Sequence, residues 1–187
     1  MSKPLVLYFS KTGNSKFFAE KTAEVLNAPI QSVHPAIKSM PFLALMTALK
    51  LGVSTNISQT DLENCDLIIL WSPVWMGSIA SPILNVLKKC KKAHKYVHFA
   101  VTCETPEAMK NDKYGYQTVL NKVHEEIGSL LLSAEAFSLS MLKNDHETWS
   151  PNMAKKPKIS ESDFQAFYSE KFKNYIGLIQ QTDRNLM

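Results

Sequence analysis

Cysteine is scarce in this chain: Cys65, Cys90 and Cys103 are the only three among 187 residues. They are odd in number and far apart, and they form neither a C-x-x-C pair nor a zinc spacing. Reduced thiols in a reducing compartment are what this usage implies. No apolar run reaches the roughly 18 residues that a membrane span requires. The opening Met1-Ser2-Lys3-Pro4-Leu5 leads directly into a strand-like segment, without the apolar stretch and small-residue cleavage site of a secretory signal. The expectation is a cytoplasmic protein with no membrane partner. The five histidines, His34, His94, His98, His124 and His146, lack metal-ligand spacing, so no metal site is expected. No nucleophile–base arrangement shows in the sequence, and no catalytic residue is assigned. The glycine-rich patterns G-x-x-x-x-G-K-[ST] and G-x-G-x-x-G are both missing, which disfavours a P-loop NTPase and leaves no dinucleotide fingerprint.

What is present is the composition of an ordinary folded domain. Apolar residues make up 45% and charged residues 20%, which argues against disorder. A chain of this length buries roughly 70% of its unfolded surface and needs no disulfide or structural metal to fold. No linker or internal repeat divides it, so residues 1–187 are expected to form one domain. The 21 basic and 17 acidic side chains leave a net charge of +4. Part of that excess is local: Lys88, Lys89, Lys91, Lys92 and Lys95, then Lys155, Lys156 and Lys158. Such runs are solvated faces or helix ends; no nucleic-acid motif accompanies them, and no nucleic-acid partner is expected.

Leu5-Val6-Leu7-Tyr8-Phe9 is a short β-prone run of the kind that forms a strand buried on both faces. Gly13 and Asn14 follow as turn residues, and Phe18, Thr22, Val25 and Leu26 then recur at helical spacing. A weak strand is predicted near Pro29–Val33. A helix is predicted over Ser39–Leu51, with Phe42, Leu45, Met46 and Leu49 as its apolar stripe and Gly52 as its stop. That stripe either covers the sheet or joins a dimer surface, and both a monomer and a homodimer are compatible with it. Thr55–Thr60 reads as polar loop. Leu67–Trp71 is the clearest strand and is predicted to end in a polar turn, Ser72-Pro73. Ser81 and Pro82 suit the N-cap and first position of the next helix, whose C-terminal lysines suit its dipole. Tyr96–Val101 is a fourth strand, Tyr116–Ile127 a helix closed by Gly128, and Leu130–Leu142 contains a fifth strand. Lys143–Ile159 reads as loop. Ser162 with Gln165 reads as a capping box for a last helix striped by Phe164, Phe167, Tyr168, Phe172, Tyr175, Ile176 and Ile179 and frayed beyond Gln181. Five strand–helix alternations predict a three-layer α/β/α fold with a doubly wound, five-stranded parallel sheet. Ligands of such sheets bind outside the strands' carboxyl ends, which directs attention to the loops after strands 1, 3 and 4.

In the first of these loops Ser10, Thr12 and Ser15 offer hydroxyls, Asn14 an amide, and Gly13 a tight turn that lets backbone N–H groups converge. A helix N-terminus behind them favours an anion. The loop is either a phosphate nest or a simple turn with an N-cap. In the second loop, Ser72-Pro73-Val74-Trp75-Met76-Gly77-Ser78, Trp75 offers an aromatic face and Gly77 a peptide that can turn at low steric cost. Trp75 and Met76 are alternatively core residues beneath a loop. The third loop, Thr102-Cys103-Glu104-Thr105-Pro106, continues to Asp112 and Tyr114-Gly115-Tyr116. Tyr114 and Tyr116 suit either a ring-covering role or the core at a helix start. Cys103 is either a thiol at the active edge or a small buried hydrophobe.

Tyr8-Phe9-Ser10-Lys11-Thr12-Gly13-Asn14-Ser15, with Ala19 beyond, resembles the flavodoxin signature, and the stretch from Ser72 to Pro82 resembles that family's flavin loop. The resemblance covers roughly residues 4–140 in pattern, while its specific motifs occupy the first two loops. It implies the strand order 2-1-3-4-5 and flavin mononucleotide (FMN) as cofactor. Carried over residue by residue, it implies phosphate contacts from Ser10, Lys11 (by its backbone), Thr12, Gly13, Asn14 and Ser15. It implies flavin contacts from Ser72, Pro73, Val74, Trp75, Met76 and Gly77. A backbone carbonyl in the 76–78 region would then accept from the reduced flavin. Thr102, Cys103 and Glu104 would lie along the pyrimidine edge, where a carboxylate would disfavour anionic reduced flavin. This chain departs from the family in lacking a glycine-rich or acidic–aromatic third loop.

The function implied is flavin-dependent electron transfer, with a redox partner protein or a small-molecule donor or acceptor. An NAD(P)H:quinone-type reductase is one alternative, and a flavodoxin-fold binding or regulatory module without redox turnover is another. Carrier flavodoxins are typically acidic, so a charge of +4 points to an acidic partner or away from a typical carrier.

Overall fold

A computed structural model describes residues 3–142 and 157–185. The predicted loop over 143–156, with Lys155 and Lys156, lies outside the described residues. The chain opens with β1 (Pro4–Tyr8), α1 (Asn14–Leu26), β2 (Ile30–Ser32) and α2 (Met40–Ala48). A short α3 (Gln59–Glu63) leads into β3 (Leu67–Trp75), which is followed by β4 (Ser78–Ile79) and α4 (Ser81–Lys92). Then come β5 (Tyr96–Cys103), α5 (Tyr116–Ile127) and β6 (Leu131–Ser138). A C-terminal helical stretch comprises α6 (Glu161–Asp163), a π-helical turn (Phe164–Tyr168) and α7 (Ser169–Asn185).

The sheet order is β2-β1-β3-β5-β6, with every neighbour pair parallel. This is the predicted 2-1-3-4-5 arrangement of a flavodoxin-like α/β fold. A sixth strand, β4, pairs antiparallel with the end of β3. Alternation along each strand feeds two cores. Leu5, Leu7, Ile68, Leu70, Val97 and Phe99 face one layer, against Leu84, Leu87, Val119 and Val123 from α4 and α5. Val6, Ile69, Trp71, Ala100 and Phe137 face the other, against Phe18 of α1 and Phe164, Phe172, Tyr175 and Ile179 near the C-terminus. Trp71 is fully buried, stacks on Phe18 with ring centroids 5.1 Å apart, and donates its indole N–H to Thr22 Oγ1 at 3.1 Å.

Several local expectations are corrected. β3 does not end at Trp71; Ser72 and Pro73 continue the ladder opposite Val101 and Thr102. The last β1 bond on that side is Phe9 N–H to Trp71 C=O. Pro73, two residues on, faces the same side after β1 has ended, so its missing N–H costs no ladder bond. Within Thr55–Thr60, Ser58 caps α3 with a reciprocal Asp61 bond, a capping box overlooked in the sequence. The α4 N-cap is Ala80, not Ser81, because the Ser81 hydroxyl turns to Leu43 C=O and its N–H to Thr47 Oγ1. The C-terminal capping box is Ser160 with Asp163, two residues earlier than predicted, while Gln165 bonds Glu161. The helix then continues past Gln181 to Asn185. α2 stops at Ala48, before Gly52, and Lys50 takes the left-handed turn with φ 56°. Its buried residues are Leu43 and Thr47, while Leu45 and Leu49 of the predicted stripe are exposed.

Candidate functional site

The loops after β1, β3 and β5 meet at the carboxyl edge of the sheet. Ser15 Oγ and Thr102 Oγ1 lie 2.7 Å apart, joining the first loop to the third. Phe9, just before the first loop, packs edge-on against Trp75 with centroids 5.3 Å apart, joining it to the second. A Cβ at Gly77 would stand 2.8 Å from Tyr114 Cα, so the second loop touches the third. In the sequence Phe9 shows only as the end of a strand run; its place as the last apolar residue before the polar turn is the signal for its role.

In the first loop Gly13 adopts φ 99° and stands at the N-cap of α1, where a side chain is disfavoured. Its N–H donates to Ser10 Oγ at 3.1 Å. The first N–H groups of the helix have no intrahelical acceptor and are oriented toward the loop. Lys11 and Thr12 are exposed and Ser10 is half-buried. The buried Asn14 is engaged elsewhere. Its amide donates to Thr12 Oγ1 at 3.2 Å and to Pro157 C=O at 2.9 Å, and its Oδ1 accepts from Ile159 N–H at 3.0 Å. Asn14 thus clamps residues 157–159 over the turn. A Cβ at Gly13 would stand 3.3 Å from Lys158 Cε, so the stem of this lysine overlies the glycine. Nothing in the sequence spacing links Lys158 to a loop some 145 residues away.

The second loop is a β-hairpin, with Val74 opposite Ile79 and Trp75 opposite Ser78. Its turn residues Met76 and Gly77 have φ of 49° and 63°, the paired positive values of a type I′ turn. Met76 is exposed, and Trp75 is half-buried and packed on the core beneath it. Ser72 is buried, its hydroxyl donating to Pro73 C=O at 2.9 Å; Pro73 and Val74 are half-buried strand residues. Lys122 of α5 reaches under the hairpin and donates to Gly77 C=O at 2.8 Å and to Ser78 Oγ at 3.4 Å. Burial first, and repulsion from Lys50 second, lower the pKa of this ammonium. No sequence motif marked Lys122. Behind the hairpin a 400 Å³ cavity is lined by Thr47, Lys50, Leu84, Thr118 and Lys122, among others.

Thr102 and Cys103 are not loop residues as expected but the buried last residues of β5, which runs two residues past Val101; the third loop starts at the half-buried Glu104. Desolvation pushes the Cys103 thiol up to about 12, so it is a protonated, small buried group rather than a reactive thiolate. Tyr116 is core at the helix start, and its hydroxyl donates to Glu107. The Glu107 carboxyl is lowered by Lys110 first and by this tyrosine second. Tyr114 stays exposed near the hairpin tip.

Such a site, at the strand-order reversal of a doubly wound sheet, defines a flavodoxin-like protein in architecture. The chain superposes on a flavoprotein from Lactobacillus acidophilus NCFM in complex with FMN with TM-score 0.60 and 22% identity, covering 73% of this chain and 93% of that one. It superposes on the Streptococcus pneumoniae TIGR4 flavodoxin with TM-score 0.52 and 10% identity, over 96% and 98% of the two chains. It likewise matches oxidised flavodoxin 1 from Bacillus cereus with TM-score 0.51 and 15% identity, over 96% and 98%. These likenesses are likenesses of fold. No protein-family model matches the chain, and no curated protein does.

Proposed function

We propose that this chain binds FMN at the junction of the 10–13 turn, the 72–79 hairpin and the 102–106 loop, and that it serves electron transfer. The observation that carries the reading is the meeting of the three loops at the sheet's reversal point, in a fold shared with an FMN-complexed flavoprotein.

The residues fit the group. A phosphate needs converging donors and a close backbone approach, which Gly13 at φ 99° and the N-terminus of α1 offer, with Ser10 and Thr12 beside them. Ser15 and Thr102 satisfy each other and fix the first loop to the third, while Asn14 orders the 157–159 segment. The Ser15 and Asn14 side chains therefore act as positioning groups, and the contribution of these two residues to binding an anion comes from their backbone. Trp75, held on edge by Phe9, supplies the aromatic surface, and the exposed Met76 at the hairpin tip stands beside it. When bound, FMN supplies the reversible electron chemistry, and the protein orients it and sets its potential.

The electron partner is a protein or a small molecule, and the +4 charge favours an acidic one. No helix among the described residues is long and apolar enough to cross a membrane. A cytoplasmic location accords with three buried free thiols.

The test is direct. Purified protein is expected to be yellow and to release FMN on denaturation; protein that stays colourless and ignores added FMN would instead be a binding module without redox turnover. Thr12→Val removes an exposed hydroxyl, so FMN affinity should fall about tenfold or more, and the lost Asn14 bond should lower the melting temperature slightly; Thr12→Ser, which keeps the hydroxyl, should restore both. Stopped-flow reduction by NADH and NADPH, with and without quinones, separates a carrier from a reductase.

A further inference from the structure

The hairpin turn beside Trp75 is gripped from two sides. On one side the Lys113–Tyr114 backbone leaves no room for a Cβ on Gly77, which would stand 2.6 Å from Lys113 C=O and 2.8 Å from Tyr114 Cα. On the other, the Lys122 ammonium donates to the carbonyl of Gly77 itself at 2.8 Å and lies 3.4 Å from Ser78 Oγ. A turn with positive φ at a methionine stores local strain and persists only where its surroundings hold it. A charge-assisted bond to a half-buried backbone carbonyl is a strong restraint of that kind.

We infer that Lys122 is a positioning residue that locks the Met76–Gly77 turn and places a fixed positive charge behind the redox site. The inference rests on the FMN reading for its redox consequence, but its structural half stands on the hairpin alone. With Gly77 C=O pinned by Lys122, the Gly77–Ser78 peptide is held in one orientation. A positive charge at this turn would favour the reduced, more negative forms of a bound flavin over the oxidised one. Lys50, facing Lys122 across the same cavity, adds to the positive field, and Glu125 opposes it. The sequence hides all of this, because Lys122 lies 45 positions from Gly77 on the polar side of an ordinary amphipathic helix.

The experiment compares wild type with Lys122→Met, which keeps the stem and removes the charge and the donor, and Lys122→Gln, which keeps a donor without the charge. In flavin-free protein, amide exchange at Trp75 and Ser78 should speed up about tenfold in Lys122→Met relative to the α5 amides, and Lys122→Gln should recover most of that protection. In FMN-loaded protein, both variants should lose about tenfold in the preference for reduced over oxidised flavin, about 30 mV for a two-electron couple. Unchanged exchange in Lys122→Met would overturn the lock. Faster exchange with an unchanged midpoint would overturn the electrostatic half. A wild type that takes up no FMN would overturn the cofactor reading instead, and the exchange measurement would then decide the role of Lys122 on its own.

Discussion

His98 sits on β5 with its imidazole sealed in the core. Nδ1 lies 2.7 Å from Ser133 Oγ, while Nε2 has no hydrogen-bond partner among the described residues. Tyr175, whose ring meets this imidazole edge-on at 6.5 Å, is likewise buried with its hydroxyl unpartnered among those residues. Burial lowers the histidine from 6.5 to about 4, because a charged ring there would lack water. The native state therefore binds fewer protons than the unfolded chain between these values. The stabilisation is fully present above pH 6.5 and is lost as pH falls through 6.5 toward 4, by about 3 kcal/mol at most. Urea denaturation at pH 7 and at pH 4.5 should show that slope, and His98→Leu should flatten it. A His98→Leu variant with the wild-type slope would assign the acid sensitivity to other groups. At the site itself, Asn14 has two bonds to the distant 157–159 segment. Asn14→Ala should cost about 2 kcal/mol and accelerate exchange of the Ile159 amide, because both backbone partners lose their mates.

The hairpin of β3 and β4 is the element on which the site depends most. Gly77→Ala adds a Cβ that would stand 2.6 Å from Lys113 C=O at a residue with φ 63°. Backbone strain and displacement of the third loop should together cost about 2 kcal/mol in chemical denaturation, with FMN affinity falling in parallel. Loss of affinity without loss of stability would mean that the loop yields freely. This element also marks where sequence reading stopped. The Ser-Pro pair after Leu67–Trp71 signalled a turn, because proline normally interrupts a ladder. Only the early end of β1 makes Pro73 acceptable in the strand, and that end is a tertiary fact. Apolar runs and the glycine at Gly13 were legible, since buried parallel strands and helix N-caps leave local marks. The last cap was legible to within two residues, because Ser160, Ser162 and Asp163 all suit a first turn and only the observed bonds choose among them, whereas the Ser58 cap of the short α3 went unseen inside a polar stretch. The contacts of Lys122 and Lys158 leave no local trace, because sequence distance hides both.

Across the whole molecule, the five parallel strands were visible in the alternation of apolar runs with helical stripes, while their order followed from the resemblance to flavodoxins. The C-terminal helical stretch closes one of the two cores. Phe164, Tyr168, Phe172, Tyr175, Ile176 and Ile179 are all buried there, against Phe18, Trp71 and Phe137. Exposing that face would forfeit on the order of 10 kcal/mol, which matches the total stability of a typical domain. A chain stopped at Ile159 should therefore keep far-UV dichroism, lose its near-UV signal and bind ANS; a cooperative melt of that truncated chain would show that the helix is dispensable.

The setting of Trp71 gives the molecule an optical property. Caged by rings and bonded through its indole N–H to Thr22, Trp71 has no solvent dipoles to relax around its excited state, so its emission lies to the blue. Trp75, half open at the loop junction, emits further to the red and within reach of quenchers. In a Trp149→Phe background, which removes the third tryptophan, one fluorophore would thus report the integrity of the interior and the other the state of the rim.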